Sequence, residues 1–147
     1  MSNFKLYDRE FLHFSHRLGN DPLQVQGAGG NTSIKNETYT WVKASGKELS
    51  DSLSENIFVP VSINLIRDNV SSDNNQDIMK AVMDKNIKLR PSIETTFHAC
   101  LNWSIVAHTH SVSTLVHAIS EKGIKIAKEK LNDMPLSVIK YIKPGID

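Results

Sequence analysis

The fold is decided by residues 90–120, which read RPSIETTFHACLNWSIVAHTHSVSTLVHAIS. Arg90-Pro91-Ser92 is a helix-start signal, because proline fits the first helical turn, and it predicts a helix over residues 93–101. Residues 104–110 alternate and are rich in β-branched and small side chains, which predicts a strand. Residues 111–120 have helical periodicity. Their spacing turns four apolar residues inward: Val112, Leu115, Val116 and Ile119.

Outside this helix–strand–helix unit, the patterning predicts elements of both kinds. Further helices are predicted over residues 7–18, 63–70 and 78–85. Further strands are predicted over residues 32–35, 39–44, 56–61 and 135–142. Residues 67–77 are polar and predict an exposed loop inside the domain. Because helices and strands mix without a regular βαβ alternation, the predicted fold class is an α/β or α+β layered domain.

Length and charge limit the function classes. A chain of 147 residues predicts one domain, residues 1–147. The formal net charge of +1 gives no electrostatic case for a nucleic-acid or membrane partner. Cys100 is the single cysteine, so no disulfide within the chain is possible, and the first residues lack the apolar run of a signal peptide. We therefore expect a cytoplasmic protein.

His108 and His110 are the first candidate site residues. Residues two apart on a strand point to the same face, so the two imidazoles could share one ion. A catalytic zinc site takes about three protein ligands and keeps a position open. Two histidines that each bond to backbone would have the same spacing, and the spacing alone leaves both interpretations open.

Glu94 lies at the predicted helix start. A carboxylate there interacts well with the helix dipole, which accounts for a glutamate without any function. His98 lies four residues later on the same helical face and could orient Glu94. We expect His98 to be a half-buried histidine with its hydrogen bonds satisfied.

Two turns are candidate anion sites. Gly27-Ala28-Gly29-Gly30-Asn31 would let the backbone approach a ligand closely, and Ser45-Gly46 is flanked by Lys43 and Lys47. Neither has the Walker or Rossmann pattern. The alternatives are a plain tight turn and a hairpin turn with solvated lysines. A solvated face is also predicted for Lys122, Lys125, Lys128 and Lys130.

Together these segments resemble the class II aldolase/adducin family. The resemblance is carried, in order, by Gly29-Gly30-Asn31-Thr32-Ser33, Lys43-Ala44-Ser45-Gly46, Arg90-Pro91-Ser92-Ile93-Glu94-Thr95-Thr96-Phe97-His98, Val106-Ala107-His108-Thr109-His110-Ser111 and Tyr141-Ile142-Lys143-Pro144-Gly145. The glycine stretch and the short interval between Glu94 and His108 are most similar to sugar-phosphate aldolase domains of the rhamnulose- and fuculose-phosphate type. Long forms of these domains are fused to a dehydrogenase.

The resemblance implies a three-layer domain with a central, mostly antiparallel sheet flanked by helices. It implies that Glu94 is catalytic and touches the metal, and that His108 and His110 are metal ligands for zinc (Zn2+) or another divalent transition metal. It also implies a phosphorylated sugar substrate and a homo-oligomer. The residues implied to hold the substrate phosphate are Gly30, Asn31, Ser45, Gly46 and Ser92.

Two departures limit what the resemblance implies. Ile93 stands where many family members have a second serine, and the third metal-binding histidine of the family has no counterpart before Asp147. His117 lies in the predicted helix and is expected to be structural. We therefore expect a domain that lacks its C-terminal part.

The implied reaction is retro-aldol cleavage of a ketose 1-phosphate to dihydroxyacetone phosphate and an aldehyde. An epimerase or a dehydratase would use the same metal and phosphate holders. A non-catalytic assembly module, as in the adducin branch, is the third interpretation.

Overall fold

The computed structural model describes Leu6, residues 8–71 and residues 77–140. The chain divides into a first unit, Met1–His110, and a second unit, Ser111–Asp147. Tyr141-Ile142-Lys143-Pro144-Gly145 lies outside the described residues. Among the described residues, no helix combines the length and apolar character that crossing a membrane requires.

The first unit is built on a four-stranded sheet. Its helices are α1 (Arg9–Gly19), α2 (Ile63–Ser71) and α3 (Thr95–Cys100), with 3-10 helices at Leu49–Leu53 and Ile78–Ala81. Its strands are β1 (Asn31–Lys35), β2 (Tyr39–Lys43), β3 (Phe58–Ser62) and β4 (Ile105–His108). The strand order is β3-β2-β1-β4, and every neighbouring pair is antiparallel. The predicted mixed α/β class and the antiparallel sheet are confirmed.

The sheet buries apolar side chains on both faces, because alternate strand residues point to opposite sides. One cluster joins α1 and the first 3-10 helix to the sheet through Phe11, Val25, Leu49, Ile57 and Phe58. The other joins α2 and α3 to the sheet through Val42, Ala44, Val59, Val61, Ile66, Ala81, Val82 and Ala99. Each fully buried large side chain contributes about 1.5–3 kcal/mol. Helix, sheet and helix thus form three layers.

The segment after α2 differs from its prediction. The helix predicted over residues 63–70 is confirmed and the loop predicted from residue 67 is wrong for residues 67–71, because α2 continues to Ser71 and Arg67 Nε donates to the Ala99 carbonyl, 3.0 Å away. Residues 72–76 lie outside the described part of the chain. The predicted helix over residues 78–85 is wrong after Ala81, because Val82 forms an antiparallel bridge with Val61 on the edge strand β3. Pairing with this edge overrides the local helical pattern.

The second unit contains two helices, α4 (Val112–Ala118) and α5 (Glu121–Lys130). Ser120 caps α5 by accepting from the amide of Gly123 at 3.0 Å. The four lysines predicted as a solvated face are exposed. The predicted strand over residues 135–142 is wrong for residues 135–140, which have no regular structure, and its last two residues lie outside the described part.

The prediction for the apolar face of α4 is also wrong. Val112, Leu115, Val116 and Ile119 are 41%, 49%, 59% and 82% exposed rather than inward. Helical periodicity places these four side chains on one face, but periodicity does not supply a surface for that face to pack on.

Candidate functional site

The glycine turn lies directly against the end of β4. Asn31 pairs with His108 in the β1–β4 register, so the turn before β1 meets the residues that end β4. Gly30 has a φ of 64°, and a Cβ there would come within 2.8 Å of Val25 and 3.1 Å of the His108 carbonyl. A Cβ at Gly29 would lie 3.1 Å from Nδ1 of His110. Only glycine allows this approach.

The two histidine rings lie side by side. Strand β4 ends at His108, but the rings of His108 and His110 remain 5.0 Å apart between centroids, at 67° to each other. The His110 amide donates to the Gln24 carbonyl at 2.9 Å, which holds the chain in place beyond the strand. Both residues are half-buried, so they can be reached from solvent.

Glu94 faces this pair. It is the N-cap residue of α3, but its side chain makes no capping hydrogen bond. Its Oε1 instead lies 2.6 Å from His108 Nδ1, and its Oε2 accepts from Asn31 Nδ2 at 3.4 Å. An interaction with the helix dipole would not by itself select this direction for the carboxylate.

The Glu94–His108 contact changes both ionisations. The hydrogen bond from His108 lowers the pKa of Glu94, against an opposing effect of burial. The same bond raises the pKa of His108. Glu94 is therefore an anion at neutral pH, as a metal ligand or a general base must be.

His98 lies behind Glu94, one helical turn along α3. It is fully buried, and its Nδ1 is 2.8 Å from the Ser33 hydroxyl. Its Nε2 and the Oδ1 of Asn31 are buried without a hydrogen-bond partner among the described residues. Burial lowers the pKa of His98 to about 4, so the ring is neutral. The prediction of a half-buried, satisfied histidine is wrong in both respects.

The Ser45-Gly46 turn is drawn to the start of α3 by backbone pairing. Ala44 forms an antiparallel bridge with Pro91, and the Ser45 amide donates to the Arg90 carbonyl at 2.9 Å. Ser45 and Gly46 are exposed, and Gly46 has a φ of 74°.

Ser92 is nearly buried in the same place. It is 8% exposed, and its hydroxyl accepts from the Glu94 amide at 3.2 Å. The structure therefore brings the serine turn and the helix start together, as sequence spacing alone could not show.

The burial of Lys43 is what sequence reasoning missed. Lys43 was considered as a flank of a candidate anion-binding turn, with a solvated lysine as the alternative, but it is 2% exposed. Its Nζ donates to the Ala28 carbonyl at 2.9 Å and to the Lys47 carbonyl at 2.5 Å. The available signal was its place at the end of β2, two residues after Trp41, on the same sheet face.

The donor types at this site suit a divalent transition metal. Two imidazoles and a carboxylate are common zinc ligands, and His108, His110 and Glu94 supply them as neighbours. Among the described residues, however, no three His, Cys, Asp or Glu side chains converge closely enough to hold an ion as they stand. His117 bonds within its own helix, with Nδ1 2.7 Å from the Ser113 carbonyl.

Comparisons with known proteins agree with this fold. The chain is 29% identical over 150 residues to the uncharacterized oxidoreductase YuxG of Bacillus subtilis, an alignment that covers 92% of this chain and 22% of that protein. The chain thus spans about a fifth of the length of this relative. It also superposes on the N-terminal class II aldolase domain of a conserved protein from Thermoplasma acidophilum, with a TM-score of 0.78 and 25% identity. That match covers 99% of this chain and 76% of the other.

The family model for the class II aldolase and adducin N-terminal domain matches residues 9–147, which include every segment of the site. The chain belongs to the class II aldolase and adducin N-terminal domain family.

Proposed function

We propose that this domain binds a divalent transition metal, with zinc as the first candidate, and cleaves a phosphorylated ketose by a retro-aldol reaction. One observation carries the proposal: four segments that are distant in sequence meet at one end of the sheet. The glycine turn meets His108 through the β1–β4 register, and Asn31 and His108 both contact Glu94. The Ser45 turn joins the start of α3. Packing alone does not require two polar turns, a carboxylate and two histidines at the same place.

His108, His110 and Glu94 are the residues that would hold the metal. When bound, the ion supplies Lewis-acid stabilisation of the negative charge that develops on the ketose oxygens. Glu94 has to rotate away from His108 Nδ1 to serve both the metal and the substrate, and its partly exposed carboxylate leaves room for this.

The proton transfers are assigned to Glu94. In cleavage, the Glu94 carboxylate accepts the proton of the C4 hydroxyl as the C3–C4 bond breaks, C4 becomes the aldehyde carbon, and the electron pair of the broken bond stays on C3. Glu94 then delivers the proton to C3, which gives dihydroxyacetone phosphate and restores the carboxylate, and the reverse direction runs the same transfers backwards. Acid/base help of this kind is typically worth about 10²–10⁴-fold in rate. Asn31, bonded to Oε2, orients the carboxylate.

The phosphate is assigned to the two turns and to Ser92. The Ser45 amide is already paired with Arg90, so the Ser45 hydroxyl and the Gly46 amide are the donors of that turn. Gly30 and Asn31 supply the opposite side, and the Ser92 hydroxyl can still donate because it only accepts from Glu94. Rigid turns that grip the phosphate fix the reacting carbons relative to Glu94.

Metal analysis of the purified protein, together with a coupled assay for dihydroxyacetone phosphate on a panel of ketose 1-phosphates, tests the proposal. We expect bound metal and metal-dependent release of dihydroxyacetone phosphate. His108→Ala should lose the metal, and Glu94→Gln should lower kcat by about 10²–10⁴-fold. His117→Ala, the matched control, should keep metal and activity.

The proposal fails if the folded protein takes up no divalent metal and cleaves no ketose 1-phosphate. It also fails if His108→Ala and His117→Ala behave alike. Light scattering on the same samples tests the homo-oligomer that the family resemblance implies.

A further inference from the structure

The ammonium group of Lys43 joins the two turns that the proposed function assigns to phosphate. One acceptor, the Ala28 carbonyl, belongs to the glycine turn, and the other, the Lys47 carbonyl, closes the Ser45-Gly46 turn. The two acceptors lie 15 and 4 residues from Lys43 in sequence. The side chain therefore fixes the distance between two loops that do not pair with each other through regular backbone bonding.

Burial of a lysine side chain at this position is energetically unfavourable. Burying an ammonium costs free energy unless hydrogen bonds replace its hydration, and a linear apolar side chain would fill the same space at lower cost. Burial lowers the pKa of Lys43, while the nearby carboxylates Glu94 and Glu48 raise it. An ammonium has three N–H donors, and among the described residues two of them have partners.

We propose that Lys43 is a positioning residue that sets the spacing of the glycine turn and the Ser45-Gly46 turn, so that both reach one phosphate group. Its positive charge lies between the turns and favours a phosphorylated over an unphosphorylated ketose. This inference rests on the proposed function for its substrate, but the tie between the turns can be tested without any substrate.

Three variants distinguish the effects of the Lys43 hydrogen bonds and charge from the effect of removing any charge in this turn. Lys43→Met keeps the length of the side chain but removes the hydrogen bonds and the charge. Lys43→Arg keeps the charge and the donors. Lys47→Met is the matched control, because it removes an equal charge from the same turn, where Nζ pairs with Glu55 at 2.6 Å. Circular dichroism establishes that each variant is folded, and Lys43→Gln replaces Lys43→Met if the latter is not.

Amide hydrogen exchange on the ligand-free protein is the first measurement. The Gly29 amide, which bonds to the Gln26 carbonyl at 3.0 Å, reports on the glycine turn. In Lys43→Met we expect its exchange to accelerate by about tenfold, as loss of a hydrogen bond that holds the turn would produce. Lys47→Met should leave Gly29 unchanged. Wild-type exchange at Gly29 in Lys43→Met overturns the proposal, whatever the protein catalyses.

Phosphate binding and kinetics are the second measurement. Titration with inorganic phosphate should show about tenfold weaker binding in Lys43→Met, and Lys43→Arg should recover most of it. For a phosphorylated ketose, KM should rise while kcat changes little, and an unphosphorylated ketose should be insensitive. Equal phosphate affinity in wild type and Lys43→Met overturns the charge assignment. Absence of aldol cleavage in the wild type overturns only the proposed function, because the exchange result still decides whether Lys43 ties the turns.

Discussion

The two units of the chain use side chains in opposite ways. In the first unit, polar side chains are buried and bond across long stretches of sequence: Ser33 and His98 are 65 residues apart, and Asn31 and Glu94 are 63 apart. In the described part of the second unit, side-chain hydrogen bonds span two to four residues, as between His117 and Ser113. Its large apolar side chains are mainly exposed.

Long-range contacts therefore specify the fold of the first unit more strongly than that of the second. In the first unit a polar residue is buried because a distant segment supplies its partner, so each such contact also fixes tertiary structure. In the second unit the contacts stabilise single helices through capping and neighbouring turns. Substitutions should therefore lower the free energy of unfolding more in the first unit than in the second.

The largest expected effect comes from one substitution made in both units. Leu49 is fully buried and Leu115 is 49% exposed. Leu49→Ala should lower the free energy of unfolding by about 2–5 kcal/mol, since it removes buried methylenes and leaves a cavity. Leu115→Ala should cost less than about 1 kcal/mol. Urea denaturation of both variants measures the difference. Similar losses would show that the α4 face is covered in solution, and the contrast between the units would then be wrong.

The second expected effect is a dependence of stability on pH that belongs to the first unit. Burial holds the pKa of His98 at about 4, below its ordinary value of 6.5. The unfolded chain therefore binds this proton more readily, and stability falls as pH decreases from about 6.5 to about 4. The full loss is on the order of 3 kcal/mol. Urea denaturation at a series of pH values measures the slope.

Two variants test whether His98 causes this dependence of stability on pH. His98→Gln should flatten the change between pH 6.5 and 4, because glutamine does not titrate. It should also lower stability near neutral pH by about 1–3 kcal/mol, because the packing against Ser33 is disturbed. His13→Gln, at an exposed position on α1, should leave the slope unchanged. An unaltered slope in His98→Gln would place the acid sensitivity elsewhere.

Much of the fold could be predicted from local patterns. The alternation in residues 104–110 and the helical period in residues 7–18 each predicted an element that the structure contains. The predictions failed where a distant segment decided the outcome: the residues after Ala81 become extended because β3 offers an edge at Val61. Helix α5 was missed because lysines dominate its sequence, EKGIKIAKEK, and few of its residues are apolar.

The segments of the site could be predicted, but their contacts could not. Spacing placed His108 and His110 together and glycines in a turn, because these are local properties. The bond from Asn31 to Glu94 and the burial of Lys43 depend on the β1–β4 register and on the Ala44–Pro91 bridge. A single sequence does not encode these pairings in any short-range pattern.

The smallest expected effect is at the site itself, where pairing rather than burial governs ionisation. In metal-free protein, Glu94 raises the pKa of His108 above its ordinary value of 6.5, and His108 lowers the pKa of Glu94 below 4.5. The stability from His108 is present below pH 6.5 and is lost as pH rises through its raised pKa. The stability from Glu94 is present above pH 4.5 and is lost as pH falls through its lowered pKa. Both groups are about one-third exposed, so the pair contributes about 1 kcal/mol or less.

NMR titration of His108 with a chelator present should show its pKa falling in Glu94→Gln, while the pKa of buried His98 stays low. If the His108 titration does not move, the long-range contact between Glu94 and His108 does not persist in solution, and this part of the first unit would resemble the second.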